Sequence, residues 1–242
     1  NDAAVNMTAQ PKPPRLSIII PVLDEAVGIV DLLQSLQGFR RLGTEIIVVD
    51  GGSSDDTAQL AAPHVDQMVN APRGRGCQMN TGAAVANGHV LMFLHADTRL
   101  PAAAATLITG AIDQGATWGR FDIKIEGQTA GLGLVAFMMN WRSRLTGIAT
   151  GDQAIFVTKT AFTATGGFAD IPLMEDIDFS RRMRALTRPA CLAEKVVTSG
   201  RRWEKHGVLR TILAMWWLRL RFFLGANPND LAREYGYVPR QQ

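Results

Sequence analysis

From Leu16 onward, short β-branched runs alternate with stretches in which apolar residues recur at helical spacing. The run RLSIIIP ends at Pro21, and Asp24 and Glu25 follow as the acidic start of a helix. That helix, VGIVDLLQSLQ, would bury Val27, Val30, Leu33 and Leu36. After Gly43 comes the strand EIIVVD. The segment SSDDTAQLAAP then reads as a helix capped by Ser53 or Ser54, with Asp55 and Asp56 at its positive end. The strand QMVNA, the turn PRGRG, the helix CQMNTGAAVANG and the strand VLMFLHAD complete this part of the chain. Alternating strand and helix mark βαβ units, so an α/β fold is expected, with a mostly parallel, twisted sheet and helices on both faces.

The second half changes character. WGRFDIKIEG and QAIFVTK look like strands and flank LGLVAFMMNWRSRLTG, which reads as helix or loop. MEDIDFSRRMRALT is a helix with basic residues toward its C-terminal end. The last strong element, GVLRTILAMWWLRLRFFLG, is apolar almost throughout but is interrupted by Arg210, Arg219 and Arg221. An arginine at a bilayer centre costs ~2.5–3.5 kcal/mol, so a membrane span is not expected. Trp216, Trp217, Phe222 and Phe223 beside arginines leave three coverings open: the helix's own domain, a second subunit in a homodimer, or peripheral contact with a membrane surface.

Composition narrows the setting. The 242 residues, 47% hydrophobic and 19% charged, are enough for one large domain and its core. Cys77 and Cys191 form neither a disulfide framework nor a metal spacing and fit a reducing compartment. The polar, Pro-rich residues 1–14 lack the apolar core of a secretory signal and read as a disordered leader, so a cytoplasmic location is expected, with contact at the inner membrane face left open. Net charge is only +3, but basic residues crowd the stretch from Arg181 to Arg221, which suits phosphate, nucleic acid or an anionic membrane. The RGRG of Arg73 to Gly76 superficially resembles nucleic-acid motifs, yet one copy without aromatic neighbours supports no nucleic-acid partner.

Acidic residues fall where strands or turns end. Asp50 closes the second strand, His95 and Asp97 close the fourth, and Glu175 and Asp176 precede a helix. Parallel α/β sheets bind ligands outside the carboxyl ends of their strands, so these carboxylates would face a crevice. Several acids in one crevice repel each other unless a cation sits between them, and a divalent metal carrying a diphosphate would serve. That points to nucleotide-sugar chemistry.

The ordered set IIIPVLDE, IIVVDGGSSDDT, FLHADT, GGF and MEDIDFSRR, over Leu16 to Trp203, resembles the inverting glycosyltransferases of family 2, with their Rossmann-like GT-A fold. More narrowly, it is similar to the short subgroup named for arsenosugar biosynthesis and radical-SAM/selenodomain association. The resemblance implies a metal-dependent enzyme that moves a sugar from a nucleoside diphosphate sugar, expected to be UDP-linked, to an acceptor hydroxyl by one inverting displacement. Pro21, Glu25 and Asp50 would hold the nucleoside, the carboxylates accepting from uracil N–H and ribose hydroxyls. Asp24 stands where the family usually has Asn. Arg75, on a Gly-rich turn into a helix, would contact the diphosphate. Asp97 matches the acid that binds manganese or magnesium. His95 replaces the usual first acid and, as a softer ligand, would orient ribose or phosphate instead.

Glu175 and Asp176 match the family's pair in which the Asp is the catalytic base, with Glu175 supporting it or binding the acceptor. SGRRWEKH falls where processive relatives carry Q-x-x-R-W, but Ser199 replaces the Gln, which argues against processive synthesis. Arg202 would stabilise the leaving diphosphate and Trp203 would stack on the acceptor. Asp122 in GRFD and Asp152 in GDQ would line the acceptor side. The expected organisation is a nucleotide-binding half (15–100), an acceptor-binding and catalytic half (101–206) and a helical appendage (207–242). Rival readings are weaker. A sugar-nucleotide pyrophosphorylase needs a Gly-rich, Arg-containing loop after the first strand, where PVLDEAVG offers none. A dinucleotide oxidoreductase needs G-x-G-x-x-G there. An idle nucleotide-binding protein on the same fold would have no need of Asp97 and Asp176.

Overall fold

The computed structural model describes residues 15–237; the expected leader and the last residues of the appendage, 238–242, lie outside the described residues. The strands are β1 (Leu16–Val22), β2 (Glu45–Asp50), β3 (Gln67–Asn70), β4 (Val90–Phe93), β5 (Thr98–Arg99), β6 (Trp118–Glu126), β7 (Phe156–Thr158) and β8 (Ala190–Ser199). They form one sheet in the order β3-β2-β1-β4-β7-β6-β8-β5. The strands β3, β2, β1 and β4 run parallel, and β7 enters antiparallel between β4 and β6. Parallel pairing resumes between β6 and β8. The fold is therefore α/β with a mixed, open sheet.

Both faces of the sheet are covered, and alternation along β1 explains how. Ile18, Ile20 and Val22 point into one core with Leu33 and Leu36 of α1 (Ile29–Arg41), while Ile19 points into the other with Met79 of α3 (Arg75–Val85). The first core also takes Ile108 of α4 (Ala104–Asp113) and Val135 of α5 (Leu132–Thr146). The second takes Phe162 of α6 (Lys159–Ala164), with Phe179 and Met183 of α7 (Glu175–Leu186). Gly82 lets α3 lie close on the sheet, since a Cβ there would fall 2.4 Å from Ile19 Cγ2.

Several local expectations need correction. α1 starts at Ile29, leaving Val27 fully exposed; its buried face is Ile29, Leu32, Leu33, Leu36 and Phe39. The helix after β2, α2 (Thr57–Ala61), is not capped by a serine. Ser53 and Ser54 instead bind the carboxylates of Asp50 and Asp24, respectively, competing with the cap role. α3 starts at Arg75, earlier than its apolar pattern suggested.

The appendage consists of α8 (Arg201–His206), α9 (Val208–Phe223) and α10 (Pro228–Glu234). Leu218, Leu231 and Ala232 form a third core with Leu173, Met174 and Ile177, which fixes the appendage against the start of α7. That contact covers only part of α9. Leu213 (68% exposed), Trp216 (65%), Trp217 and Leu220 remain bare, so its own domain does not cover this helix fully.

Candidate active site

The carboxyl ends of β1, β2 and β4 meet at one edge of the sheet. The loop after β1 is tied to the loop after β2 by side chains. Asp24 adopts a left-handed conformation (φ 53°), its carboxylate takes the Ser54 amide at 2.7 Å, and its own amide donates to Ser53 Oγ. Left-handed backbone favours Asn and Asp among non-glycine residues, which accounts for an acid or its amide here. Asp50 is buried and accepts from the Ser53 hydroxyl and the Gly52 and Ser53 amides. Pro21 is buried within β1, opposite Val49.

Beyond this edge lies a cavity of about 440 Å³. It brings together Arg75, His95, Asp97, Asp152, Glu175, Asp176, Arg202 and Trp203 from five separate elements and loops. Glu25 stands just outside its wall. Pro21 and Asp50 do not line it, and neither does Asp122, whose two carboxylate oxygens are held separately by Arg120 and Arg144. Asp122, expected on the acceptor side, is an internal counter-ion because it shares the core edge with the fully buried Arg120.

Within the cavity the acids are paired off. Asp176, in the first turn of α7, accepts the Gly151 amide at 2.8 Å on one oxygen and its neighbour Ile177's amide at 2.7 Å on the other. His95 Nδ1 lies 3.1 Å from Asp152 Oδ1, and its ring packs so tightly on Gly151 that a Cβ there would sit 2.3 Å from Nε2. Burial pushes the His95 pKa down, but the hydrogen bond and charge of Asp152, with Asp97 beyond, reverse this and hold it raised. Asp152 is held low: burial would raise it, but His95, Arg75 and Arg219 prevail. Glu175 is raised, chiefly by burial and further by Asp176, although Arg75 approaches to 3.8 Å and opposes the shift. Arg201 lies 3.9 Å from Glu25 and 4.0 Å from Asp97; burial raises the Glu25 carboxyl and Arg201 partly offsets it.

Sequence reasoning chose Arg202 where the geometry favours its neighbour. Arg202 is stacked on the Tyr235 ring at 3.4 Å and donates to Tyr235 O, while Arg201 faces the acids. It also missed Tyr235, Arg142 and Arg219, which line the cavity from α10's end, α5 and α9. An arginine inside an apolar helix was the available signal for Arg219. These arginines supply cations to the acid-rich crevice, so charge repulsion alone does not require a metal there.

Metal donors were tested on the same geometry. Among the described residues no group of three or more His, Cys, Asp or Glu side chains is arranged to hold an ion. Asp97 offers a carboxylate that is partly open to the cavity and makes no short hydrogen bond to a cation among the described residues, and His95 is committed to Asp152 and Gly151. Magnesium and manganese accept one or two protein carboxylates when phosphate and water fill the remaining positions. The site therefore fits an ion that arrives with a diphosphate and does not fit an all-protein cage.

Residues 17–156, more than half the chain, match the model of Glycosyl transferase family 2. The chain belongs to that family. An uncharacterised Mycobacterium tuberculosis protein is 28% identical over 209 residues, covering 75% of this chain, and an uncharacterised glycosyltransferase of Mycobacterium bovis is 31% identical over 103 residues, covering 42%. The chain spans 66% of the length of the first and 45% of the second. Among solved structures, Staphylococcus aureus TarS 1–349 superposes with a TM-score of 0.63 at 18% identity, over 77% of this chain and 60% of that one. Glucosyl-3-phosphoglycerate synthase from M. tuberculosis, solved with Mn2+, UDP and glucosyl-3-phosphoglycerate, gives 0.60 at 18% identity over 94% and 82%. These likenesses establish the GT-A fold.

Proposed function

We propose that this chain transfers a sugar from a nucleoside diphosphate sugar, UDP-linked, to an acceptor hydroxyl in one inverting displacement. The observation that carries the reading is a single cavity with Asp97 and Asp176 in its wall, each on a different part of the fold. Glu25, Asp50 and Pro21 border the nucleoside side, and Asp97 would hold Mn2+ or Mg2+ on the diphosphate. That ion would neutralise charge gathering on the leaving phosphates. Asp176 is the base: held by the Gly151 amide, it removes the acceptor's proton as the oxygen attacks the anomeric carbon from the face opposite the nucleotide. Arg201, with Arg202 behind it, favours the departing diphosphate. Trp203 offers a stacking face for the acceptor. The halves 15–100 and 101–206 would then serve donor and acceptor, within the short arsenosugar-named subgroup.

Peripheral membrane contact belongs to the same reading. Among the described residues no helix is long and apolar enough to cross a membrane. Yet α5 and α9, which wall the cavity, carry bare apolar residues at helical spacing: Leu134, Phe137, Met138 and Trp141 on one, Leu213, Trp216, Trp217 and Leu220 on the other. Exposed Arg210 and Lys205 beside them suit an anionic bilayer.

Calorimetric titration with UDP, with Mn2+ and then with EDTA, tests the donor side. UDP affinity is expected to fall at least tenfold on chelation, and Asp97→Ala should lose that dependence. Equal affinity with and without metal overturns the assignment of Asp97.

A further inference from the structure

The glycosyltransferase reading leaves two cavity residues unused. Arg142, on α5, and Arg219, on α9, both line the cavity. Nε and Nη2 of Arg142 and Nε of Arg219 are shut off from water and donate to nothing. Neither guanidinium has a carboxylate within ion-pair distance among the described residues. The two repel each other: burial first, then Arg219, pushes the Arg142 pKa down to about 10, and burial holds Arg219 below its ordinary value as well. Asp176 and Asp152 attract both from beyond contact, and Tyr235 adds to the pull on Arg219.

Unpaired buried charge is costly, and unsatisfied guanidinium donors add to that cost. Two such groups side by side in a cavity wall are a site prepared for an oxyanion, which guanidinium groups bind through paired, charge-assisted hydrogen bonds. Position decides which substrate brings it. Arg201 faces Glu25 and Asp97, on the donor side, whereas Arg142 and Arg219 feel Asp152 and Asp176, beside the proposed base. Around them the wall is apolar, with Met138, Met139, Met215 and Trp216.

Resting on the transferase reading above, we infer that Arg142 and Arg219 form an acceptor subsite for a phosphate group, so that the acceptor carries a phosphate as well as the hydroxyl that is glycosylated. The phosphate belongs either to a soluble phosphate monoester or to a lipid headgroup; the chemistry at the arginines is the same.

The test uses the protein saturated with UDP and Mg2+, so that the donor side is filled, and titrates glycerol phosphate at low salt by calorimetry. A second arm measures co-sedimentation with vesicles containing phosphatidic acid, with vesicles of equal negative charge that carry a fatty-acid carboxylate in place of phosphate subtracted. Wild type is expected to bind one or both probes saturably. Arg142→Met or Arg219→Met should weaken that binding at least ~10-fold, the loss expected for a hydrogen bond to a charged group, and the double change should abolish it. UDP affinity should stay within about threefold, and the ligand-free double variant should melt no lower than wild type, because it loses unpaired buried charge. Arg142→Lys, which keeps charge and volume, should retain part of the binding and controls for collapse of the wall. Binding of glycerol phosphate identifies a soluble acceptor, and arginine-dependent binding to vesicles alone identifies a lipid. No saturable binding of either probe to wild type overturns the inference, as does binding unchanged in the double variant. A parallel loss of UDP affinity overturns it too, since it moves the arginines to the donor diphosphate. If wild type binds no UDP, the transferase reading fails, and the titration repeated without UDP still judges the arginines.

Discussion

At the scale of single residues, the cavity is organised around Gly151. Its amide holds Asp176, its missing side chain admits the His95 ring, and the next residue, Asp152, orients that ring. The proposed base and the imidazole are thus positioned by one short turn between α5 and β7. Asp176→Asn keeps an acceptor oxygen for the Gly151 amide but cannot take up the acceptor's proton. Turnover is expected to fall about 10²–10⁴-fold while UDP affinity stays close to wild type. Single-turnover transfer assays beside UDP calorimetry check this. Near-normal turnover in the variant would move the base elsewhere, with buried Glu175 as the next candidate.

At the scale of elements, the register of β6 shows how the wall carrying Arg142 is held. β7 pairs with β6 only at Trp118 and Gly119, so the rest of that edge has no strand beside it. Asn140 of α5 fills the gap, its Oδ1 accepting from Ile123 N and its Nδ2 donating to Ile123 O. Asn140→Leu fits the space but leaves both backbone groups unpaired, at about 1–3 kcal/mol each. Thermal unfolding should shift down by about 4–24 °C, as a protein of this size loses ~2–4 °C per kcal/mol. An unchanged melting temperature would mean that water replaces the amide. This bridge illustrates the limit of reading elements from sequence. The β1, β2 and β4 runs were legible because their apolar residues are continuous and end at acids, and with them the fold class and the place of Asp97 just beyond β4. β8 was not legible: exposed Glu194 and Lys195 interrupt it next to the register shift opposite Phe121 and Asp122. α4 is short and has no side-chain cap to announce it. The arginines that converge on the cavity from α5, α8 and α9 share no local pattern at all. Only tertiary packing brings them together.

At the scale of the whole molecule, the two helices that wall the cavity are also the least covered. Leaving so many large apolar side chains in water is unfavourable, at roughly 25 cal/mol per Å² of apolar area, and contiguous patches of this kind mark interaction surfaces. Met138 and Trp216 belong both to the bare stripes and to the cavity wall, so whatever covers the stripes also borders the mouth of the cavity. An anionic bilayer would answer both demands, apolar residues entering the acyl boundary and Arg210 and Lys205 meeting headgroups. Liposomes with anionic lipid are therefore expected to co-sediment the protein at low salt and to release it as salt rises, since surface charge is screened within about 8–10 Å at 0.1–0.15 M. Trp141→Glu with Leu213→Glu, both outside the cavity wall, should abolish sedimentation while leaving UDP affinity intact. A homodimer seam predicts the opposite pattern: a concentration-dependent dimer in analytical ultracentrifugation that the same two changes dissolve, and no retention on liposomes. That result would replace the bilayer with a second copy of the chain and leave the acceptor's entrance facing a partner subunit.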